Sequence, residues 1–178
     1  MATLVHQLIA HSAARVPDRV ALKYQQQEIT YAALQSAVAS FASGVIGLGL
    51  NRSDRIAIYA EKRFETVIGM FGAAAAGGVY VPVNPLLKAE QVAFILQDCN
   101  VRVLVTSPER LSLLAGVLAD CPDLRHVVTT GEGAPQATTQ ALPKSLAHAS
   151  WAEFMGCAPC DGHRVIDVDM AAILYTSG

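Results

Sequence analysis

Charged residues are scarce in this chain, and neither sign dominates. Asp, Glu, Lys and Arg make up 16% of its 178 residues, and the formal net charge at pH 7 is −2. Without a basic surplus to neutralise a phosphate backbone, nucleic acid is not an expected partner. Disorder is excluded as well, because 52% of the residues are hydrophobic, which predicts one domain with a buried core.

Segments that would send the chain into or across a membrane are also lacking. The stretch MATLVHQLIAHSAARVPDR has neither the basic start nor the long apolar core of a signal peptide. Residues 29–51 and 66–87 carry no charge, but polar side chains interrupt the first stretch and Gly and Pro break the second. We therefore expect no membrane span and a cytoplasmic protein.

Cysteine is rare, with only four residues, and we expect reduced thiols. Cys157, Cys160 and His163 form a Cys-x-x-Cys-x-x-His pattern that could supply three zinc ligands or a redox pair. A structural zinc site needs a fourth ligand, and a redox pair usually opens a helix that follows a strand. A surface loop with unpaired thiols and no metal is the favoured interpretation, with zinc and redox use as alternatives.

Strand-like and helix-like patterns alternate along the chain. A hairpin is predicted in residues 19–30, and the next helix has Thr30 as its N-cap. That helix carries one apolar stripe of Leu34, Val38, Phe41, Ala42 and Val45. Further strands are predicted at 54–60, 79–84, 101–107 and 125–130, with helices at 61–78, 88–99 and 108–121. This order predicts an α/β fold with a doubly wound, mostly parallel sheet flanked by helices.

Three further segments have a distinctive composition or pattern. Residues 73–78 have almost no side-chain bulk, so another backbone is expected to pack closely there. Residues 131–162 show no clear period and predict a long surface connection with one helical turn at 151–155. Residues 163–176 are predicted to return to the sheet, with 170–174 as a buried strand.

Several common catalytic and nucleotide-binding motifs are missing. The chain has no Gly-x-Gly-x-x-Gly after a strand, no Gly-x-x-x-x-Gly-Lys-Ser/Thr, no Gly-x-Ser-x-Gly and no His-Glu-x-x-His. The five histidines are scattered, and we assign none of them a catalytic role. What remains is AAILYTSG, where Thr176, Ser177 and Gly178 follow a predicted strand. Hydroxyls and backbone N–H groups in such a turn can bind a phosphate, although Thr-Ser-Gly alone is common.

Three longer stretches carry a family resemblance. PDRVALKYQQQEITYAALQSAVASFASGVIGLGLNRSDRIAIY, then GGVYVPVNPLLKAEQVAFILQDCNVRVLVTS, and finally AAILYTSG resemble the adenylate-forming (AMP-binding) superfamily. Within it the chain is most similar to the N-terminal part of AMP-forming acyl-CoA ligases. A narrower similarity, to exosortase-A-associated acyl-CoA ligases, rests on EKRFETV, VPVNPLLKAEQV and CNVRVLVTS.

The resemblance implies a function and its cofactors. It implies a bacterial ATP-dependent ligase of fatty acid metabolism that activates a carboxylic acid as acyl-AMP and transfers the acyl group to CoA, with ATP, Mg²⁺ and CoA as cofactors. Alternatives are an adenylation domain that loads a carrier protein, or a non-catalytic α/β binding module. The oligomeric state and the acyl substrate are not indicated.

The resemblance also implies roles for individual residues. Thr176, Ser177 and Gly178 are expected to bind the ATP phosphates. The family's catalytic residues fall after position 178, so residues 1–178 are expected to form an incomplete N-terminal domain that ends inside the phosphate-loop motif and is inactive alone.

For Tyr175 we favour core packing. Asn84 and Pro85 are expected to form a turn, with substrate-tunnel lining as the alternative. Lys88 is expected at a solvated helix start, with contact to a CoA phosphate as the alternative.

Overall fold

The computed structural model describes residues 4–131 and 142–176, which alternate between helices and strands. The hairpin prediction is confirmed, since β1 (Val20–Tyr24) pairs antiparallel with β2 (Gln27–Thr30). The other strands are β3 (Arg55–Tyr59), β4 (Val79–Pro82), β5 (Val101–Thr106), β6 (His126–Thr129) and β7 (Ala147–Ser150). The α-helices are α1 (Gln7–Arg15), α2 (Tyr31–Gly47), α3 (Phe64–Ala75), α4 (Ala89–Asp98), α5 (Pro108–Leu114) and α6 (Trp151–Met155).

Five of the strands form one parallel sheet in the order β4-β3-β5-β6-β7. Helices cover both faces of this sheet, so the predicted doubly wound α/β architecture is confirmed. Strand β7 lies within the stretch that was predicted as a surface connection, and that prediction is wrong for 147–150. The predicted helix at 108–121 is interrupted: α5 ends at Leu114, and a short 3₁₀ turn follows at Leu118–Asp120.

The core lies in two layers because alternate side chains of each strand point to opposite faces. Ile56 and Ile58 of β3 pack with α2 and α3 on one face. Ala57 and Tyr59 of the same strand pack with α4 and α5 on the other face. Such burial of a strand on both faces is typical of parallel sheets.

Helix α2 has the predicted start and the predicted buried stripe. The Thr30 hydroxyl accepts a hydrogen bond from the Ala33 amide at 3.3 Å. The side chains of Leu34, Val38, Phe41 and Val45 are buried, whereas Ala42 is half-buried. The N-cap and the helical period therefore identified this helix from the sequence alone.

Helix α3 packs on α2 mainly through small residues. Its buried residues are Ile68, Gly69, Gly72, Ala73 and Ala74, and Phe64, Phe71 and Ala75 are partly buried against the same core. The ring of Phe41 on α2 fills the space left by Gly72, because a Cβ added at Gly72 would lie 2.5 Å from Phe41 Cδ1. Small residues thus face the neighbouring helix, and the larger side chains are only partly buried.

The small residues at 73–78 do receive another backbone, as predicted. His163 donates its amide to the Ala76 carbonyl at 3.4 Å, and its Nε2 lies 2.7 Å from the Leu50 carbonyl oxygen. A Cβ at Gly162 would lie 2.9 Å from the Ala75 carbonyl oxygen. The chain that follows α6 is therefore held against the end of α3 on its way to the sheet edge.

The prediction of a buried strand at 170–174 is wrong. Only Ala172 forms a bridge, in parallel pairing with Tyr80 of the edge strand β4. The side chains of Met170 and Leu174 are 60% and 68% exposed. Apolar side chains favour burial, but no element among the described residues covers Met170 and Leu174.

Among the described residues, no helix has the length and apolarity needed to cross a membrane.

Candidate functional site

A groove lies between α4 and the segment that leads to Thr176. Its volume is about 790 Å³. Its walls are formed by the end of β4, the following loop, one side of α4 and the end of the described chain. The lining residues are Pro82, Asn84, Leu87, Glu90, Gln91, Phe94, Ile95, Tyr175 and Thr176. The groove starts at the carboxyl end of a parallel strand, and open α/β sheets bind ligands on this side of the sheet.

Thr176 is the one predicted site residue that the described chain includes. It is exposed and lines the groove, and its side chain makes no hydrogen bond to the other described residues. Its hydroxyl is therefore available to an anionic oxygen. Ser177 and Gly178 lie outside the described residues, so their predicted role stays a prediction.

Tyr175 is not the core residue that we favoured. Its side chain is 38% exposed, and its hydroxyl donates a hydrogen bond to Asp98 Oδ2 at the end of α4. The same hydroxyl lies 3.3 Å from Cys99 Sγ. Burial and the hydrogen bond to Asp98 raise the pKa of Tyr175 above its ordinary range, so the phenol keeps its proton and acts as the donor.

The loop after β4 forms the predicted turn. Asn84 Oδ1 accepts the Leu86 amide at 3.0 Å, and the Asn84 carbonyl accepts the Leu87 amide at 3.1 Å. Asn84 also lines the groove, and its alternative role as a lining residue of the substrate tunnel stays a prediction. Lys88 is exposed at the start of α4, where its amide bonds Gln91 Oε1 at 3.0 Å, as expected for a solvated helix start.

The carboxyl ends of β3 and β5 form a second polar location. The connection after β3 leads to β4, and the connection after β5 leads to β6, so the two connections leave this point in opposite directions. Such a switch point is the usual ligand position in doubly wound folds. Arg110 Nε bonds Glu61 Oε1 at 2.9 Å, and its guanidinium lies 5.5 Å from the centre of the Tyr59 ring. The Thr106 hydroxyl donates to the Tyr59 carbonyl at 2.7 Å. These side chains bind one another, so the groove beside Thr176 is the better candidate.

Cys160 and His163 of the Cys-x-x-Cys-x-x-His pattern have different hydrogen-bond partners. Cys157 and Cys160 are exposed, whereas Cys99 and Cys121 are buried. The Cys160 amide bonds Ser43 Oγ at 3.1 Å, while His163 points to the Leu50 carbonyl. No three metal-binding side chains converge within residues 4–131 and 142–176.

The contributions of α4 to this site were not predicted from the sequence. Asp98 was assigned no role, and Phe94 was treated only as part of a helical pattern. Phe94 lines the groove and is 61% exposed, which is unusual for a large apolar side chain on an otherwise amphipathic helix. A large apolar residue on the outward side of α4 was therefore the feature of the sequence that could have indicated a role of this helix in the groove.

The chain is similar to known enzymes over nearly its whole length. The family model for AMP-binding enzymes matches residues 9–178, so the chain belongs to the AMP-binding enzyme family. The matched region runs through Gly178 and therefore includes the Thr-Ser-Gly stretch.

Individual relatives come from two branches of enzymes. The chain is 33% identical over 147 residues to tyrocidine synthase 3 of Brevibacillus parabrevis, which covers 81% of this chain and 2% of that protein. It is 30% identical over 129 residues to a medium/long-chain-fatty-acid–CoA/3-oxocholest-4-en-26-oate–CoA ligase of Mycobacterium tuberculosis, covering 72% of this chain and 24% of that protein. The chain thus spans a quarter or less of the length of these relatives.

A solved structure shares the fold over nearly the whole chain. The anthranilate CoA ligase AuaEII, in complex with anthranoyl-AMP, superposes with a TM-score of 0.86 at 22% identity. The match covers 98% of this chain and 32% of that one. The described fold is therefore that of the N-terminal part of such ligases.

Proposed function

We propose that residues 1–178 form the N-terminal portion of an ATP-dependent acid–thiol ligase. In this reaction a carboxylate attacks the α-phosphate of ATP and releases pyrophosphate, and the thiol of CoA then displaces AMP from the acyl-adenylate. The observation that carries the proposal is the family match, which extends through the Thr-Ser-Gly stretch to Gly178. The matched CoA ligase from Mycobacterium tuberculosis supports CoA as the acceptor.

Within this proposal, residues 1–178 are an incomplete domain that reaches into the phosphate-binding loop. The match covers 24% of the CoA ligase from Mycobacterium tuberculosis and 32% of the solved structure, which supports this assignment. On its own, the 178-residue chain is then expected to release pyrophosphate from ATP and a panel of carboxylic acids only at background. The bacterial relatives support a bacterial enzyme. We further propose that this enzyme is cytoplasmic, acts in fatty acid metabolism and belongs to the exosortase-A-associated branch.

Bound ATP and Mg²⁺ would supply the leaving group and neutralise the phosphate charge. The donor set of this chain fits a phosphate: the Thr176 hydroxyl is exposed and unpartnered among the described residues, and the sequence continues with a second hydroxyl and a glycine. Thr176 and Ser177 would donate hydrogen bonds to the β- and γ-phosphate oxygens. Gly178 would allow the backbone to approach them closely.

A second candidate function is the loading of a carrier protein instead of CoA. The match to tyrocidine synthase 3, at higher identity than the match to the CoA ligase, favours this alternative. Both reactions share the adenylation step and differ only in the thiol that accepts the acyl group. Acceptor assays with CoA and with a phosphopantetheine-bearing carrier protein, after pre-forming the acyl-adenylate, would separate them.

The double substitution Thr176→Ala and Ser177→Ala tests the phosphate site in a polypeptide that carries the rest of the domain. A hydrogen bond to a charged group contributes about 1.5–3 kcal/mol. Loss of both should therefore reduce ATP–pyrophosphate exchange at sub-saturating ATP at least about tenfold, equivalent to about 1.4 kcal/mol. Thiol transfer from pre-formed acyl-adenylate should change little. Ser145→Ala, at an exposed position outside the groove, is the control. Unchanged exchange in the double variant would refute the assigned role.

A further inference from the structure

We propose that Asp98 is a positioning residue for the phosphate site: it holds the Tyr175 hydroxyl, and through Tyr175 it fixes where Thr176 stands in the groove. This inference rests on the proposed function, because it gives Thr176 the role of a phosphate ligand. Asp98 itself touches no substrate in this scheme. It acts only through the tyrosine that precedes the phosphate-binding residues.

The segment before Thr176 is held at two points. The first is β4, where the Tyr80 amide donates to the Ala171 carbonyl at 3.0 Å and the Ile173 amide donates to the Tyr80 carbonyl at 3.1 Å. The second is the end of α4, where the Tyr175 hydroxyl meets Asp98 and Cys99. Only Leu174 lies between these points, and its side chain is 68% exposed. Tyr175 is therefore the attachment nearest to Thr176.

The helix that provides Asp98 is itself well fixed. Val92, Ala93, Ile95 and Leu96 are buried against the sheet. At its C-terminal end, the Arg55 guanidinium donates to the Cys99 carbonyl, and Arg55 Nη2 donates to the Asn100 carbonyl at 2.9 Å. A side chain at the end of such a helix is a rigid reference point, which is what a positioning residue requires.

The chemistry of this helix end favours the Tyr175 contact. A carboxylate in the last turn of a helix faces the negative end of the helix dipole and unsatisfied carbonyl oxygens. A hydroxyl donor relieves that repulsion. The protonated phenol of Tyr175 provides such a donor, and a hydrogen bond to an ionised acceptor is stronger than a neutral one. Both partners thus gain from the contact, and the segment is attached to α4.

The test is a mutant cycle in the polypeptide that carries the rest of the domain, measured by ATP–pyrophosphate exchange. Asp98→Ala and Tyr175→Phe should each raise the KM for ATP about fivefold, with kcat within about twofold. The double variant should be no worse than either single variant, because both remove one contact. Asp98→Asn keeps an acceptor oxygen and should restore most of the affinity. Tyr24→Phe, a tyrosine of the β1–β2 hairpin, is the matched control.

Amide hydrogen exchange in the 178-residue chain tests the attachment without catalysis. Asp98→Ala and Tyr175→Phe should each lower the protection of the Ile173 and Tyr80 amides severalfold, whereas Asp98→Asn and Tyr24→Phe should not. Equal protection in all variants would refute the attachment. A lower kcat with unchanged KM, or additive losses in the double variant, would refute the positioning role. Absence of pyrophosphate exchange in the unsubstituted protein would instead refute the proposed function, and the positioning role with it.

Discussion

Gly72→Ala should destabilise the protein through the contact between α2 and α3. A Cβ at position 72 would lie 2.5 Å from Cδ1 of Phe41 and 2.7 Å from its Cβ. The ring could rotate away from the first contact. The Cβ of Phe41 cannot move without α2, so the two helices must separate. Phe41 is fully buried, and its ring also packs edge-on against Phe154 at a centroid distance of 5.0 Å, so that separation disturbs several contacts.

The expected change in the free energy of unfolding is a balance of two opposing effects. Alanine improves helix propensity over glycine by about 1 kcal/mol. Overpacking of a well-packed core costs about 1–3 kcal/mol, and the short distances at Gly72 place this site at the upper end. The net loss should be about 2 kcal/mol in the free energy of unfolding. For a domain of this size, that corresponds to a fall in Tm of about 4–8 °C.

Urea denaturation followed by circular dichroism would measure this difference. Gly47→Ala is the matched control, because a Cβ there meets no heavy atom within 4 Å. The control keeps the gain in helix propensity without the steric contact, so it should be as stable as the unsubstituted protein or more stable by up to about 1 kcal/mol. If Gly72→Ala is as stable as that control, the packing of α3 on α2 through its glycine face is incorrect.

Two further predictions concern thiols and pH. Ellman's reagent should label the exposed Cys157 and Cys160 rapidly in the native chain but reach the buried Cys99 and Cys121 only on unfolding, and four fast thiols would contradict the fold. Burial lowers the pKa of His148 below its ordinary 6.5, so the folded state binds fewer protons than the unfolded state. The urea midpoint should therefore fall as the pH drops through about 6.5, and His148→Gln should reduce that fall; an equal fall in both proteins would refute this contribution.

The fold was largely accessible from the sequence because its strands and helices carry strong local signals. The capping threonine and apolar stripe of α2 are one example, and the β-branched run of β5 is another. Strand β7 had no such signal: AHAS is short and alanine-rich, and its position depends on pairing with β6, from His126 opposite Ala147 to Thr129 opposite Ser150. Pairing of this kind is a tertiary effect that local propensity does not contain.

The candidate site was accessible only in part. The sequence placed Thr176 after an apolar run, beyond the end of a predicted strand of the parallel sheet. The contact of Tyr175 with Asp98 could not be predicted, because 77 positions separate the two residues in the chain. The error at 170–174 has a related cause, since hydrophobicity predicts a preference for burial but does not identify the element that provides it.

The reliance of the site on α4 follows from how the edge of the sheet is built. Strand β4 has only four residues, and beyond it the segment toward Thr176 makes a single bridge. A lone bridge cannot set the position of a residue several positions further along the chain. Helix α4, by contrast, is buried along one face and held by Arg55 at its end. A second attachment on this helix fixes the end of a loosely paired segment, and the proposed phosphate-binding turn that begins there is fixed with it.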